Sequence, residues 1–347
     1  MAPPTDDADA SDESGGDPVA VFEGVTYADR EAGAMDLDLF VPETDDPPLV
    51  VYVHGGGWVA ETRDNVPDPE RYAAELGCAL ASVSYRLAEV PDDADEAVAA
   101  MFDSDNPTPR GVFPDPFVDV KASIRWLRSN ADEYGYDADR VAAWGSSAGG
   151  HLALLAGVVD DVADLDGTAF PDADLEKTVA PDESGAVQAV VDWYGVADFA
   201  LVPGDATDPT SLLLGGTKSD REAAFAEASP LTHVAADSPP MLVMHGTEDD
   251  VVPVEHSRRL FDALDDRRVD AAFYELHHLD HVWSHDGVEA IESERTAMDL
   301  LTAEPTPAQS LRRATHAAEG ESGTPLVEGA PPAGPVPIRE FLDRTIR

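Results

Sequence analysis

Three stretches bring together residue types able to cleave an acyl bond. Gly145, Ser146, Ser147, Ala148 and Gly149 have the G-x-S-x-G spacing of a serine nucleophile carried on a sharp strand-to-helix turn. His54, Gly55, Gly56, Gly57 and Trp58 directly follow the apolar run "PLVVYV". The third stretch supplies carboxylates and imidazoles: Glu248, Asp249 and Asp250 after "MLVMHGT", then His277, His278, His281 and His285. A serine hydroxyl is a weak nucleophile. It needs a base to take its proton and an acid to hold that base in the right tautomer.

The serine stretch lies within a run of nineteen residues, 141–159, that carries no Asp, Glu, Lys or Arg. A run of that length can span a membrane. Here it would bury Gly145, Ser146, Ser147, Gly149, Gly150 and His151 in lipid, and only Arg140 flanks it with positive charge. Strand, turn and helix, divided at Gly145, explain the glycines better, because a strained turn and close helix–strand packing leave no space for side chains. Ser147 is then the nucleophile and Ser146 the variable position. Gly-Ser turns are common, so the pentapeptide alone is a moderate signal. The His54–Trp58 stretch strengthens it. Its glycines let N–H groups point outward, where negative charge develops on oxygen during acyl transfer. Gly56 and Gly57, with the N–H of Ala148, form the expected oxyanion hole. His54 is expected to brace that loop.

These motifs need a framework. "AVFEGVTYA" and "MDLDLFVPE" alternate apolar and polar residues and read as an antiparallel strand pair. "PLVVYV", "CALASVSYRL", "DRVAAWG", "AVQAVVDWYG", "PPMLVMHG" and "AAFYELHH" read as core strands. Helical spacing falls between them: "DPERYAAELG", "FVDVKASIRWLRSNADEYG" with Gly135 as its stop, "SAGGHLALLAGVV", "VEHSRRLFDALDDR" and "GVEAIESERTAMDLL". Strands alternating with helices predict a mostly parallel sheet covered on both faces. Residues 89–116, 160–185 and 198–230 interrupt the alternation as lid-like insertions. Residues 302–335, rich in Pro, Ala, Gly and Ser, predict a flexible linker or long loop. Residues 336–347 predict an amphipathic helix docking through Ile338, Phe341, Leu342 and Ile346.

Composition excludes other functions. Asp plus Glu number 70 and Lys plus Arg 22, for a formal net charge of −48, and the only lysines are Lys121, Lys177 and Lys218. Nucleic-acid binding needs a basic footprint that is missing, and acidic membranes would repel this surface. Self-repulsion of this size is relieved in molar salt, where the screening length falls to about 3 Å. The composition therefore predicts an intracellular protein of a high-salt organism. Residues 1–18 predict a disordered acidic tail without a signal-peptide pattern, hence a cytoplasmic location. A lone Cys78 among apolar neighbours predicts a buried thiol and excludes an internal disulfide.

The chain resembles the α/β-hydrolase carboxylesterases, close to their hormone-sensitive-lipase-like and feruloyl-esterase-like branches. The resemblance rests on "VYVHGGGW", "SVSYRLA", "DVKASIRWLRSNADEYGYDADRVAAWGSSAGGHLALLAG", "VVDWYGVADF", "SPLTHV" and "PPMLVMHGTEDDVVPVEHSRRL", in the family's order over roughly residues 20–301. It departs in the 89–116 insertion and in Ser146, where lipase-like relatives often carry Asp, and both leave substrate range open. The resemblance implies an α/β-hydrolase fold and a Ser–acid–His order. The H-G-x-x-D pattern implies Asp249 as the acid, with Asp250 next and Asp192 on the preceding strand as a weaker candidate. The loop pattern implies His281 as the base, with His277 and His278 ending the strand or lining the mouth. Trp58, Tyr194 and Trp283 adjoin these loops and are expected to line the pocket, although Tyr194 fits a core position equally well. The implied reaction is cofactor-free ester hydrolysis on a small molecule, by a monomer or homodimer. Two alternatives stay open: amide cleavage on the same triad, and a non-catalytic binding protein. The H-H-x-D-H cluster could hold zinc, but an H-x-H-x-D-H loop would need His where Leu276 stands, so no metal is expected.

Overall fold

The computed structural model describes residues 18–92, 94, 96–101, 105–170, 178–206, 208–281, 283, 308–316 and 323–347. Most of the 1–18 tail, His285 and the 287–301 helix lie outside these residues. Nine strands form one sheet: β1 Val19–Arg30, β2 Gly33–Pro42, β3 Pro48–Val53, β4 Ala79–Val83, β5 Asp137–Ser146, β6 Ala189–Trp193, β7 Met241–Gly246, β8 Ala271–Leu276 and β9 Gln309–Ala314. Their order is β1-β2-β4-β3-β5-β6-β7-β8-β9. Strands β4, β3, β5, β6, β7 and β8 pair in parallel, whereas β1, β2 and β9 join antiparallel at the two sides.

The central strands are buried on both faces, and alternation divides their side chains between two cores. Leu49, Val51 and Val53 of β3 point into one core, which also holds Val141 and Ala143 of β5. Val50 and Tyr52 enter the other, with Ala142 and Trp144. Helices cover both faces. They are α1 Pro69–Leu76, α2 Glu96–Met101, α3 Asp115–Ser129, α4 Ala131–Tyr134, α5 Ala148–Val158, α6 Pro209–Leu213, α7 Glu222–Glu227, α8 Pro230–His233, α9 Glu255–Asp266 and α10 Pro335–Thr345. The first core takes side chains from α3, α5 and α9. The second takes Tyr72 and Leu76 of α1 with Ile338, Phe341 and Leu342 of α10.

One feature follows the sequence reading and two differ from it in detail. The charge-free run is divided between β5 and the eleven-residue α5, and among the described residues no helix is long and apolar enough to cross a membrane. The single helix expected before Gly135 breaks at Asn130, whose side chain turns back to donate to Trp126 O at 2.7 Å. The 302–335 segment is more than a linker: β9 within it pairs with β8 along its whole length, and Leu326 and Val327 are buried beside α10. The insertions meet beside the sheet. Phe113 N–H donates to Leu213 O at 2.7 Å, and the Phe113 ring packs on Phe170 with centroids 5.1 Å apart.

Candidate active site

Open α/β sheets bind ligands beyond the carboxyl ends of their parallel strands. All three chemical stretches end up there, after β3, β5, β7 and β8. Strand β5 stops at Ser146, α5 starts at Ala148, and Ser147 between them has φ 51° and ψ −116°. A non-glycine residue in that region is strained and is held only by its surroundings. Those surroundings are close packed. A Cβ on Gly149 would come within 2.0 Å of Val53 O and 2.3 Å of His54 O. The first turn of α5 therefore lies directly against the end of β3, so the serine turn and the glycine loop are fixed relative to each other. Ser146 is buried and accepts from Tyr52 Oη at 3.2 Å.

The loop after β3 turns through Gly56 at φ 86° and Gly57 at φ 58°. Gly56 O accepts from the N–H groups of Val59 and Ala60, both at 3.0 Å, and a Cβ on Gly56 would lie 2.4 Å from Ala60 O. The Tyr85 hydroxyl lies 3.0 Å from His54 O and 2.9 Å from Gly55 O. His54 stacks on Tyr85 with centroids 4.4 Å apart and Nδ1–H directed at Gly55 O. Burial pushes its pKa down to about 4, so its ring is neutral. Trp58 ties the loop to α5, since its indole N–H donates to His151 Nδ1 at 3.2 Å. His151 Nε2–H in turn donates to Ala228 O at 2.8 Å. Among the described residues no protein acceptor takes the N–H of Gly56, Gly57 or Ala148.

His281 Nε2 lies 2.9 Å from Ser147 Oγ, and His281 Nδ1 lies 2.7 Å from Asp249 Oδ2. The three side chains form one hydrogen-bonded chain. The other oxygen of Asp249 accepts from the N–H groups of Val251 at 3.0 Å and Val252 at 2.7 Å. Burial alone would raise the Asp249 pKa. The hydrogen bonds from His245 and His281 outweigh it and hold the carboxyl well below the usual range.

The other candidates stand elsewhere. Asp250 is exposed. Asp192 is buried within β6, where one oxygen accepts from Gly195 N–H at 3.1 Å. His277 turns to Ser310 on β9, and exposed His278 pairs with Glu248. The three imidazoles of the H-H-x-D-H stretch thus take separate partners, and among the described residues no group of three His, Cys, Asp or Glu is placed to hold a metal ion.

The aromatic residues expected to line the pocket are buried in this structure. Trp58, Tyr194 and Trp283 are 3%, 2% and 1% exposed. Tyr194 meets the His281 ring edge-on at 4.9 Å and Trp283 at 5.1 Å. Trp283 continues to Trp193 in the second core. They are large apolar side chains next to the loops that carry Ser147 and His281, and sequence spacing does not say which way a loop side chain turns. Sequence reasoning also passed over His245, His151 and Tyr85. Each is a polar residue beside a motif, and its partner comes from a distant segment.

The BD-FAE family model matches residues 37–264 of the 347. The chain belongs to the BD-FAE family. This BD-FAE chain is 33% identical over 236 residues to the probable carboxylic ester hydrolase LipM of Mycobacterium tuberculosis, covering 66% of this chain and 46% of LipM. It is 29% identical over 224 residues to ethyl acetate hydrolase of Pseudomonas putida, covering 58% and 63%. The chain spans about half the length of the curated mycobacterial relatives it matches. A solved truncated carbohydrate esterase from gut microbiota aligns with a TM-score of 0.63 at 27% identity, covering 76% of this BD-FAE chain and 89% of that one. The mostly parallel sheet between helical layers is accordingly an α/β-hydrolase fold.

Proposed function

We propose that this BD-FAE chain hydrolyses carboxylic esters of small molecules through Ser147, His281 and Asp249. The observation that carries this reading is the continuous Ser147–His281–Asp249 hydrogen-bond chain beside N–H groups that no acceptor among the described residues takes. His281 Nε2 takes the Ser147 proton as Oγ attacks the ester carbonyl carbon. The carbonyl oxygen becomes an oxyanion, for which the N–H groups of Gly56, Gly57 and Ala148 are available as donors. The tetrahedral adduct collapses, the C–O bond to the alcohol breaks, and His281 returns the proton to the departing alkoxide. Water, deprotonated by His281, then attacks the acyl-enzyme and releases acid and free Ser147. Ionised Asp249 stabilises the imidazolium in both halves. These groups supply every proton transfer and every stabilised charge, so the reading needs no metal or cofactor. The names of its relatives, carboxylic ester hydrolase and ethyl acetate hydrolase, support ester over amide substrates.

The test is a panel of p-nitrophenyl esters of graded acyl length, aryl-formamides and aminoacyl-anilides, run in molar KCl with and without EDTA. Ester turnover, unchanged by EDTA, with a fluorophosphonate adduct mapped to Ser147, is the expected result. Turnover only of amides, an adduct elsewhere, or loss of activity in EDTA overturns the reading.

A further inference from the structure

Asp249 Oδ2 has two imidazole partners. Besides His281 Nδ1 at 2.7 Å, His245 Nε2 stands 3.1 Å away. The same His245 Nε2 lies 2.7 Å from Val252 O. A carbonyl oxygen only accepts, so Nε2 carries the proton and is shared between Val252 O and Asp249 Oδ2. His245 Nδ1 lies 2.7 Å from Ser257 Oγ on α9. In the neutral ring Nδ1 accepts that hydroxyl proton, and this contact fixes the tautomer. His245 and the Asp249 side chain are fully buried, so no water competes. We infer that His245 is a positioning residue: its Nε2–H, oriented by Ser257, fixes the Asp249 carboxylate and, through it, sets the basicity of His281. The inference rests on the proposed ester-hydrolase reading.

The mechanism is donor sharing. With four donors the carboxylate can neither rotate nor concentrate its charge on Oδ2. Removing the His245 donor leaves more charge on Oδ2 for His281. The imidazolium is then favoured, and His281 is protonated at higher pH. The carboxylate also loses one of the contacts that aim it. Other ionisable groups surround the pair. Glu61, on the loop after β3, acts electrostatically on His281. Tyr194, after β6, packs on His281 and lies 6.4 Å from His245 between ring centroids. His256 on α9 faces His245, is held near neutral by burial with its pKa down at about 4, and accepts from Asp198 N–H at 3.2 Å. Asp198 is paired to Arg259 at 2.8 Å. None of these donates to Asp249, so among the described residues His245 alone shares Oδ2 with His281.

The experiment compares wild type, His245→Phe and His245→Gln by the pH dependence of kcat/KM on p-nitrophenyl acetate, and by the downfield proton resonance of His281 Nδ1–H. His245→Phe keeps the ring volume and removes the donor. The expected result is an acid limb raised by about half a pH unit, kcat lowered about tenfold with KM little changed, and a resonance moved downfield. His245→Gln retains an N–H near the Nε2 position and should recover most of the wild-type limb. A folded His245→Phe whose limb and resonance superimpose on wild type overturns the inference. If His245→Phe does not fold, Ser257→Ala decides. A smaller shift in the same direction supports the inference, and an unmoved limb and resonance overturn it. A wild type that turns over no ester defeats the functional reading, and the resonance, which needs no turnover, then settles the role of His245.

Discussion

Asp192 and Asp249 are buried carboxylates at the same end of neighbouring strands, and their surroundings drive them in opposite directions. Asp249 leaves β7 on a turn and collects four donors, two backbone N–H groups and two imidazoles. Asp192 stays inside β6 with one donor, Gly195 N–H, and its second oxygen has no protein partner among the described residues. Burial pushes the Asp192 pKa up to about 7 against the opposing Gly195 hydrogen bond, whereas Asp249 is held low. The pair teaches that burial alone does not set the charge of a carboxylate. The turn after β7 can gather donors, and a residue inside a paired strand cannot, because its neighbours have spent their N–H groups on the ladder.

The largest effect tests the chain that ends on Asp249. Ser147→Ala and His281→Ala should each lower kcat on p-nitrophenyl acetate by about 10⁴-fold or more, leaving what the oxyanion donors and binding supply. Circular dichroism should be unchanged, and His278→Ala should be nearly silent. A Ser147→Ala protein that keeps more than a few per cent of the wild-type rate removes Asp249 from catalysis together with the serine. Next in size is Asp249→Asn, which presents its amide where the carboxylate received His281 and should cost about 10³–10⁴-fold in kcat. Asp250→Asn, on an exposed side chain, should match wild type. Reversal of those two results would shift the turn by one residue and end the comparison.

Asp192→Asn sharpens the other half. The folded pKa of about 7 lies above the unfolded value of about 3.9. Between those values the folded chain keeps a proton that the unfolded chain releases. Wild-type stability therefore falls as pH rises through this window, and the loss is complete above about pH 7. Asparagine does not titrate. The variant should gain on wild type from pH 5 to pH 8, by an amount on the order of a few kcal/mol at most, with ester turnover little changed. Thermal melts at the two pH values decide it. An equal difference at both would show that Asp192 is ionised throughout.

How far the sequence carries this pair depends on locality. The strand-to-helix turn is spelled out by contiguous residues 145–149, and the glycine loop by 54–58, since each feature is made by its own backbone. Asp249 and Asp250 differ by one residue of register, which sequence ranks, and the structure buries the first and exposes the second. His245 stands only four residues before Asp249, yet its partner Ser257 lies on the next helix, and no spacing reveals that contact. The edge strand β9 was hidden for another reason. "QSLRRA" has few apolar residues, because an edge strand with one neighbour needs little burial. Trp58, Tyr194 and Trp283 are buried at positive φ, a backbone direction that sequence spacing does not reveal.

The smallest effect on the two carboxylates should come from salt. The formal net charge of −48 is carried largely by exposed acids, and in dilute buffer the screening length reaches about 30 Å at 0.01 M, comparable to the domain. The repulsions then sum over the folded surface, and the unfolded chain relieves them by spreading. The melting temperature should therefore rise steadily from dilute buffer into molar KCl, and sucrose of matched osmolarity should not reproduce the rise. Asp249 and Asp192 lie under that surface, and buried charges are screened much less. The acid limb of kcat/KM should move by less than about 0.3 pH units over the same series, and the Asp192→Asn stability difference at pH 8 should persist in every salt. A melting temperature indifferent to KCl would defeat the high-salt reading of the composition. An acid limb that followed the salt would mean that surface acids, and not the four donors around Asp249, set the basicity of His281.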